Sequence, residues 1–340
     1  MIDLPKRPTK IREKFPEYVR SELETHAGVW LDKYIAEQDR TSTDSRRDLI
    51  KEVSALPIPT AYKAYYERWE KLLKESGAQM REALVKGRMI VGQGDESVVE
   101  TSISLHHTYG VPYIPGSALK GLAANYARQR LGEDWQPGSS AYKVVFGDTD
   151  DAGYITFFDA LYIPDTGHGR QALHPDIITV HHQKYYQGGE APRDRDNPIP
   201  VPFLSATGTY LIVLAAPDLQ PRNEWIARTF DILEHALKDL GIGAKTSSGY
   251  GRMKLLPPRV DPEMKKAEGY KREIEAMKDS NVPNQINSYH QKWQQLKSQE
   301  ARVLLAEAII EKVRKAGREK ASSEKAWYKE LLAFVDGTNM

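Results

Sequence analysis

Between Gly241 and Arg252 the sequence reads Gly-Ile-Gly-Ala-Lys-Thr-Ser-Ser-Gly-Tyr-Gly-Arg, with Gly241, Gly243, Gly249 and Gly251 bracketing a lysine and three hydroxyls. This pattern suits an anion. Glycine accepts positive φ and has no side chain to hold a ligand off the backbone, while Lys245, Thr246, Ser247 and Ser248 add charge and donors to consecutive amide N–H groups. A ribose-phosphate chain is a natural occupant. An ATP loop is excluded, because a Walker motif places glycine directly before its lysine and follows a strand, whereas here Ala244 precedes Lys245 and a helix-like run precedes the loop. The dinucleotide fingerprint is not met either. A turn that only reverses the chain stays open as the alternative.

A second anion-suited segment lies at Tyr109–Ala127. Pro115 and Gly116 punctuate a loop, Ser117 offers an N-cap, and Leu119, Leu122, Ala123 and Tyr126 share one face, so the spacing predicts a helix over 117–131. Its N–H groups and positive dipole end would face an anion, and Lys120 adds a charge one turn in. An ordinary capped helix with a solvated lysine is the bland alternative.

Two histidine pairs, His106-His107 and His181-His182, invite a metal or acid–base reading. Adjacent residues on a strand point to opposite sides, so each pair offers one partner to any one site, and neither shows the third-ligand spacing of a zinc motif. Stacking and hydrogen bonding to RNA, or packing within the fold, are favoured over metal binding or acid–base catalysis. Asp148, Asp150, Asp151 and Asp159 form a local carboxylate group, but Phe146-Gly-Asp-Thr-Asp-Asp-Ala-Gly153 is turn-like and reads as a connection between strands. No catalytic residue, metal site or cofactor is expected.

The helix start Pro115-Gly-Ser-Ala-Leu-Lys-Gly121 and the glycine-rich loop together resemble the RAMP superfamily of CRISPR proteins. Further stretches sharpen the likeness: Val91–Ser97, Leu105–Pro115, Phe146–Asp148 leading to Phe158–Ala160, Asp176–Tyr186 and Pro198–Ser205. In that order they are similar to the family of sixth subunits of type III-B Cmr effector complexes, over roughly residues 85–256. The resemblance implies a ferredoxin-like core of the RNA-recognition-motif type, within an α+β fold with an antiparallel sheet. It also implies a noncatalytic subunit near the end of a backbone filament that holds the 3′ part of the CRISPR RNA in antiviral defence. The implied partners are CRISPR RNA, target RNA and other Cmr subunits, both backbone RAMP proteins and small helical subunits.

The elements that must position these residues fall into three regions. Residues 1–80 are mainly helical in pattern, with Gln38–Arg47 a polar loop. Residues 81–258 form the core, with strands expected at Met89–Val91, Ser102–Leu105, Tyr154–Phe158, Thr209–Ala215 and Arg252–Leu256, and helices at 117–131 and about 223–240. Residues 259–340 return to helix as a solvated extension of nearly balanced charge. Within the core, 163–202 is a long insertion that interleaves basic and aromatic residues as single-strand RNA binders do. By the resemblance it is the candidate for a thumb-like wedge, in which His181, His182, Tyr185 and Tyr186 meet bases and Lys184 holds phosphate. The RNA-binding set expected overall is Gly116, Ser117, Lys120, those five residues, and Gly241, Gly243, Lys245, Thr246, Ser247, Ser248, Gly249, Gly251 and Arg252.

Composition narrows the class. The net charge of +1 over 340 residues argues against a nonspecific nucleic-acid coat but permits a local basic groove. The absence of cysteine excludes disulfides and thiolate metal sites, and no apolar run is long enough for a membrane span. Met1-Ile-Asp-Leu-Pro-Lys-Arg is not followed by the apolar stretch of a secretory signal, so a cytoplasmic protein is expected. A CRISPR-RNA-processing endoribonuclease, with His106 or His107 beside Tyr109, and a cap that contacts only protein are the competing functional readings.

Overall fold

A computed structural model describes residues 25–35, 43–94, 97, 99, 101–180, 199–217, 223–258 and 262–338. The chain divides into two compact units, residues 1–258 and 259–340. No helix among the described residues is long and apolar enough to cross a membrane.

In the first unit the elements run α1 (Ala27–Lys33), α2 (Thr43–Ser54), α3 (Thr60–Glu75), β1 (Gln79–Val85), β2 (Tyr113–Ile114), α4 (Gly116–Arg130), α5 (Ser140–Phe146), β3 (Thr156–Phe157) and β4 (Ala160–Tyr162). They continue with β5 (Leu173–Val180), β6 (Ile199–Ala206), β7 (Thr209–Ala215), α6 (Glu224–Asp239) and β8 (Met253–Leu255). The main sheet has the order β2-β4-β7-β1-β8, with β3 also on β7, and every pairing is antiparallel. With β3 and β4 counted as one broken strand, the four core strands lie fourth-first-third-second from the β8 edge. That is the order of a βαββαβ ferredoxin-like unit.

The apolar run of Thr209–Ala215 makes β7 the central strand, buried along nearly its whole length. Helices α4 and α6 pack on one another and share the core with the sheet, and Arg81 of β1 lies over the Phe230 ring at 4.9 Å. The N-terminal helices belong to that same core. Tyr62 of α3 is buried and donates to the Tyr162 carbonyl at 2.6 Å, so α3 is tied to the end of β4. Burial of that phenol pushes its pKa up, so it stays a donor.

Several expectations need correction. The first core strand is Gln79–Val85, not Met89–Val91, where only Met89 bridges to Ala206; at Ser102–Leu105 only Leu105 bridges, to Pro112. Thr43–Arg47, expected in a polar loop, opens α2, with Asp44 paired to Arg47 at 2.9 Å one turn on. The described part of the insertion carries a strand ribbon, because β5 and β6 pair in register from Leu173↔Ala206 to Val180↔Ile199, and α2 packs across both. Pro175, Pro200 and Pro202 made these segments look broken. In a two-stranded ribbon each strand has a free edge, where a missing N–H costs nothing.

The second unit is helical: α7 (Pro262–Ala276), α8 (Val282–Gln294), α9 (Gln299–Lys315), α10 (Glu319–Ser322) and α11 (Ala326–Thr338). Its core centres on Trp293, 1% exposed. The Trp293 indole N–H donates to the Arg302 carbonyl at 2.9 Å, and the Arg302 guanidinium stacks 4.0 Å from the Trp293 ring and 4.5 Å from Phe334. His290 stacks on Trp293, lies tilted against Trp327, and meets Glu330 at 2.8 Å. Trp293→Ala removes the ring on which these contacts converge, and is expected to destabilise this unit by about 3–5 kcal/mol, read as faster hydrogen exchange at the amides of α8 and α9.

Candidate functional site

The glycine-rich loop follows α6 and leads into β8, and its glycines are needed for two reasons. Gly241, Gly243, Gly249 and Gly251 all have positive φ, from 69° to 90°, and Lys245 is left-handed at 56°. Gly243 and Gly251 also sit against backbone: an added Cβ would lie 2.0 Å from the Ile90 carbonyl oxygen at the first and 1.9 Å from that of Ile242 at the second. Gly249 has open space around it.

This close approach lets the loop dock by main-chain bonds. Ala244 N–H donates to Ile90 O at 2.8 Å, Gly251 N–H to Arg88 O at 2.8 Å, and Ile242 N–H to Gly251 O at 2.9 Å. Within the loop, Ser248, Gly249 and Tyr250 N–H turn inward onto Lys245 and Thr246 carbonyls. The amides of Lys245, Thr246 and Ser247 donate to no acceptor among the described residues, and the Lys245 side chain forms no ion pair there. Ser247, Ser248 and Gly249 are exposed, and Lys245 and Thr246 half-buried. Arg252 points back, its guanidinium reaching the Lys238 and Thr246 carbonyls at 3.3 and 3.4 Å, so it closes the loop. Three amides without a described acceptor beside a lysine are the kind of donor set an anion takes.

Residues not singled out in the sequence complete the setting. Tyr250 donates to Asp176 of β5 at 2.8 Å and packs near Phe203 of β6, latching the loop to the ribbon. Burial, with Asp176 beside it, pushes the Tyr250 phenol up to about 12. Arg88 supplies the carbonyl that receives Gly251, and its buried Nη1 has no partner among the described residues. Its charge joins burial in holding His174 below the ordinary histidine range. The place of Tyr250 between two glycines was the available signal; Arg88 had none.

The helix start is differently built from the expectation. The N-cap of α4 is Pro115, and Ser117 is an exposed residue of the first turn, because the chain enters by an extended Pro115. Gly116 is buried: its N–H donates to Asp159 at 2.7 Å, and a Cβ there would lie 2.2 Å from the Phe157 carbonyl oxygen. The leading amide is thus already satisfied by a carboxylate. Lys120 is half-buried, with no ion pair among the described residues.

The two anion-suited features do not form one cradle. Gly116 abuts Phe157, which pairs with Leu214 at the end of β7; the glycine-rich loop abuts Arg88–Ile90, beside the Met89↔Ala206 bridge ahead of the start of β7. Along the strand these points are roughly 20 Å apart. His181, His182, Lys184, Tyr185 and Tyr186 lie outside the described residues.

His106 sits among aromatic rings, with Tyr65, Tyr109 and Tyr113 at 5.4, 5.0 and 6.3 Å between centroids. Its Nδ1 accepts the Thr108 N–H at 3.2 Å, and the neighbouring His107 carbonyl accepts from His26 Nε2 at 2.8 Å. Two of the four carboxylates, Asp148 and Asp159, have structural partners. Asp148 accepts from Asp150 N–H, Asp151 N–H and Lys143, and that hydrogen bonding, the lysine foremost, holds its carboxyl at about 2.

Gly249→Ala should cost about 1 kcal/mol, for the backbone conformation alone. Gly243→Ala and Gly251→Ala should each cost about 3 kcal/mol or more, because the added methyl also forces two backbones apart; chemical denaturation separates the cases. Burial lowers the His106 pKa against the opposing pull of Asp159. The stability tied to neutral His106 is therefore complete above about 6.5 and is lost as pH falls from there through the lowered folded value. An NMR titration should find His106 below the free-histidine range, and His106→Phe should flatten the acid limb of the stability profile.

Comparison with known proteins follows this geometry. The family described as the RAMP superfamily matches residues 83–254. The CRISPR system Cmr subunit Cmr6 of Pyrococcus furiosus is 31% identical over 249 residues, covering 56% of this chain and 72% of that protein. The Cmr6 subunit of Saccharolobus solfataricus is 24% identical over 204 residues, 57% of this chain and 64% of its own length. A chain in the cryo-EM structure of the type III-B Cmr-beta complex bound to cognate target RNA superposes with a TM-score of 0.50 at 21% identity, covering 64% of this chain and 76% of that one, which speaks to the fold. The strand order, the glycine-rich loop and these matches agree: the chain belongs to the RAMP superfamily and, within it, to the Cmr6 family.

Proposed function

We propose that this chain is a noncatalytic RNA-binding subunit of a type III-B CRISPR RNA-guided complex that targets RNA. It sits near the end of the backbone filament, holds the 3′ part of the CRISPR RNA and shapes the guide–target duplex. Its other partners are the remaining Cmr subunits, backbone RAMP proteins and small helical subunits, and its role is antiviral defence in the cytoplasm. The observation that carries the RNA reading is the loop at 245–247, whose amides donate to no acceptor among the described residues, beside a lysine that forms no ion pair there. Contacts of that kind take phosphate without regard to base, which suits a guide whose spacer varies while base pairing supplies specificity. Lys120 on α4 and Lys245 in the loop act as separate points of contact.

A second reading has one geometric support, since His106 stands 5.0 Å from Tyr109, the pairing a CRISPR-RNA-processing endoribonuclease would use. Both rings are built into the Tyr65 cluster, which favours packing over proton transfer.

The test is binding of labelled CRISPR RNA across a salt series by the chain assembled with its Cmr partners. Lys245→Ala should weaken binding and shallow the slope of log affinity against log salt by about 0.7 per lost single-strand contact, with Lys120→Ala adding independently. Unchanged affinity and slope in both variants would reduce the chain to a protein-only cap. RNA cleavage by this chain alone, lost in the His106→Ala, His107→Ala double variant, would replace the proposal with the nuclease.

A further inference from the structure

A cleft of about 340 Å³ opens between the linker joining α2 to α3 and the loop that follows β4. One wall is the run Leu56, Pro57 and Ile58; the other carries Lys63, Asp165 and Arg170. Pro57 is exposed and its two neighbours half-buried, so the wall offers apolar surface to whatever enters. The volume is at the small end of the range for ligand sites, about 300–1,000 Å³, and fits one or two side chains.

The charged wall is fixed in an unusual way. Three described non-glycine residues have positive φ; Lys245 in the glycine-rich loop is one, and the other two, Asp165 at 62° and Arg170 at 64°, both line this cleft. Arginine adopts this conformation only where its surroundings impose it. Here they do: Gly167 N–H donates to the Tyr162 hydroxyl at 2.7 Å, the Thr166 hydroxyl to Ile163 O at 2.6 Å, and Arg170 N–H to Gly167 O at 2.9 Å. The loop is therefore anchored to buried β4 and holds Arg170 outward. Lys63 pairs with Asp165 at 2.8 Å, while Arg170 is exposed and forms no ion pair among the described residues. One positive charge is left uncompensated beside an apolar wall.

We infer that this cleft docks a segment of a neighbouring polypeptide presenting one carboxylate to Arg170 beside one aliphatic side chain on Leu56–Ile58. The inference rests on the chain's proposed place in a multisubunit complex. A guanidinium fork matches a carboxylate in two parallel hydrogen bonds, and the apolar wall gives an aliphatic neighbour its burial. RNA fits less well. Among the described residues no aromatic ring lines the cleft for base stacking.

The test uses the full chain with Pro57 replaced by photoreactive benzoylphenylalanine, assembled with the other Cmr subunits and CRISPR RNA. Irradiation should attach a partner-subunit peptide that contains Asp or Glu next to an aliphatic residue. Arg170→Gly, which suits the left-handed backbone and removes the side chain with its guanidinium, should lower the yield on the order of tenfold, as should Arg170→Glu. Converting the captured carboxylate to lysine should restore crosslinking to Arg170→Glu. Attachment to RNA or to another segment of this chain, or an undiminished yield with Arg170→Gly, would overturn the inference. So would silence at Pro57 when the chain co-elutes with its partners; failure to co-elute at all would instead remove the complex on which the inference stands.

Discussion

The contact on which the candidate site depends is main chain against main chain: the glycine-rich loop laid on the segment that extends β1 beyond Val85. Ala244 and Gly251 donate to Ile90 and Arg88, and a side chain at Gly243 or Gly251 would occupy the space of the carbonyl it faces. With the amides of Ala244 and Gly251 used in this docking, those of Lys245, Thr246 and Ser247 are left without an acceptor among the described residues. Strand pairing produces the same result from the other side. Lys86 N–H donates to Arg252 O, so β8 and the tail of β1 bring both ends of the loop to one place.

That dependence explains which parts were legible in the sequence. The loop announced itself through residue types whose backbone requirement is severe. The buried run of β7, the two core helices and the helical C-terminal unit were equally plain, because apolar periodicity over many residues leaves little choice. The first core strand was hidden. Gln79-Met-Arg-Glu-Ala-Leu-Val85 is mostly good helix formers, and it is a strand only because β7 and β8 flank it, a nonlocal pairing that outweighs local preference. The ribbon was hidden by its prolines, and the Gly116 cap by distance, since Asp159 lies 43 residues further along.

The carboxylates show why a cluster in sequence is a poor guide to chemistry. Asp148 and Asp159 occur close together and read as a group, yet one closes its own turn and the other caps a helix begun far upstream. Asp148 accepts from two backbone amides and from the Lys143 side chain, and Asp159 from the Gly116 amide. Tyr250 and Asp176 tell the converse story: far apart in the chain, they join the loop to the ribbon by a single hydrogen bond, and burial keeps that phenol protonated.

The separation of the start of α4 from the glycine-rich loop constrains how the proposed RNA would lie. A near-neutral chain holds nucleic acid by a few placed charges, not by a broad field, so the positions of those charges define the path. Points roughly 20 Å apart correspond to about six nucleotides at the stacked rise of 3.4 Å per nucleotide. One strand touching both Lys120 and Lys245 would therefore run along the length of β7. It would pass from the Asp159-capped helix to the Tyr250-latched loop, with the ribbon rising from the loop end. The constraint that sets this geometry is the antiparallel sheet, which holds the start of α4 and the glycine-rich loop at opposite ends of its central strand.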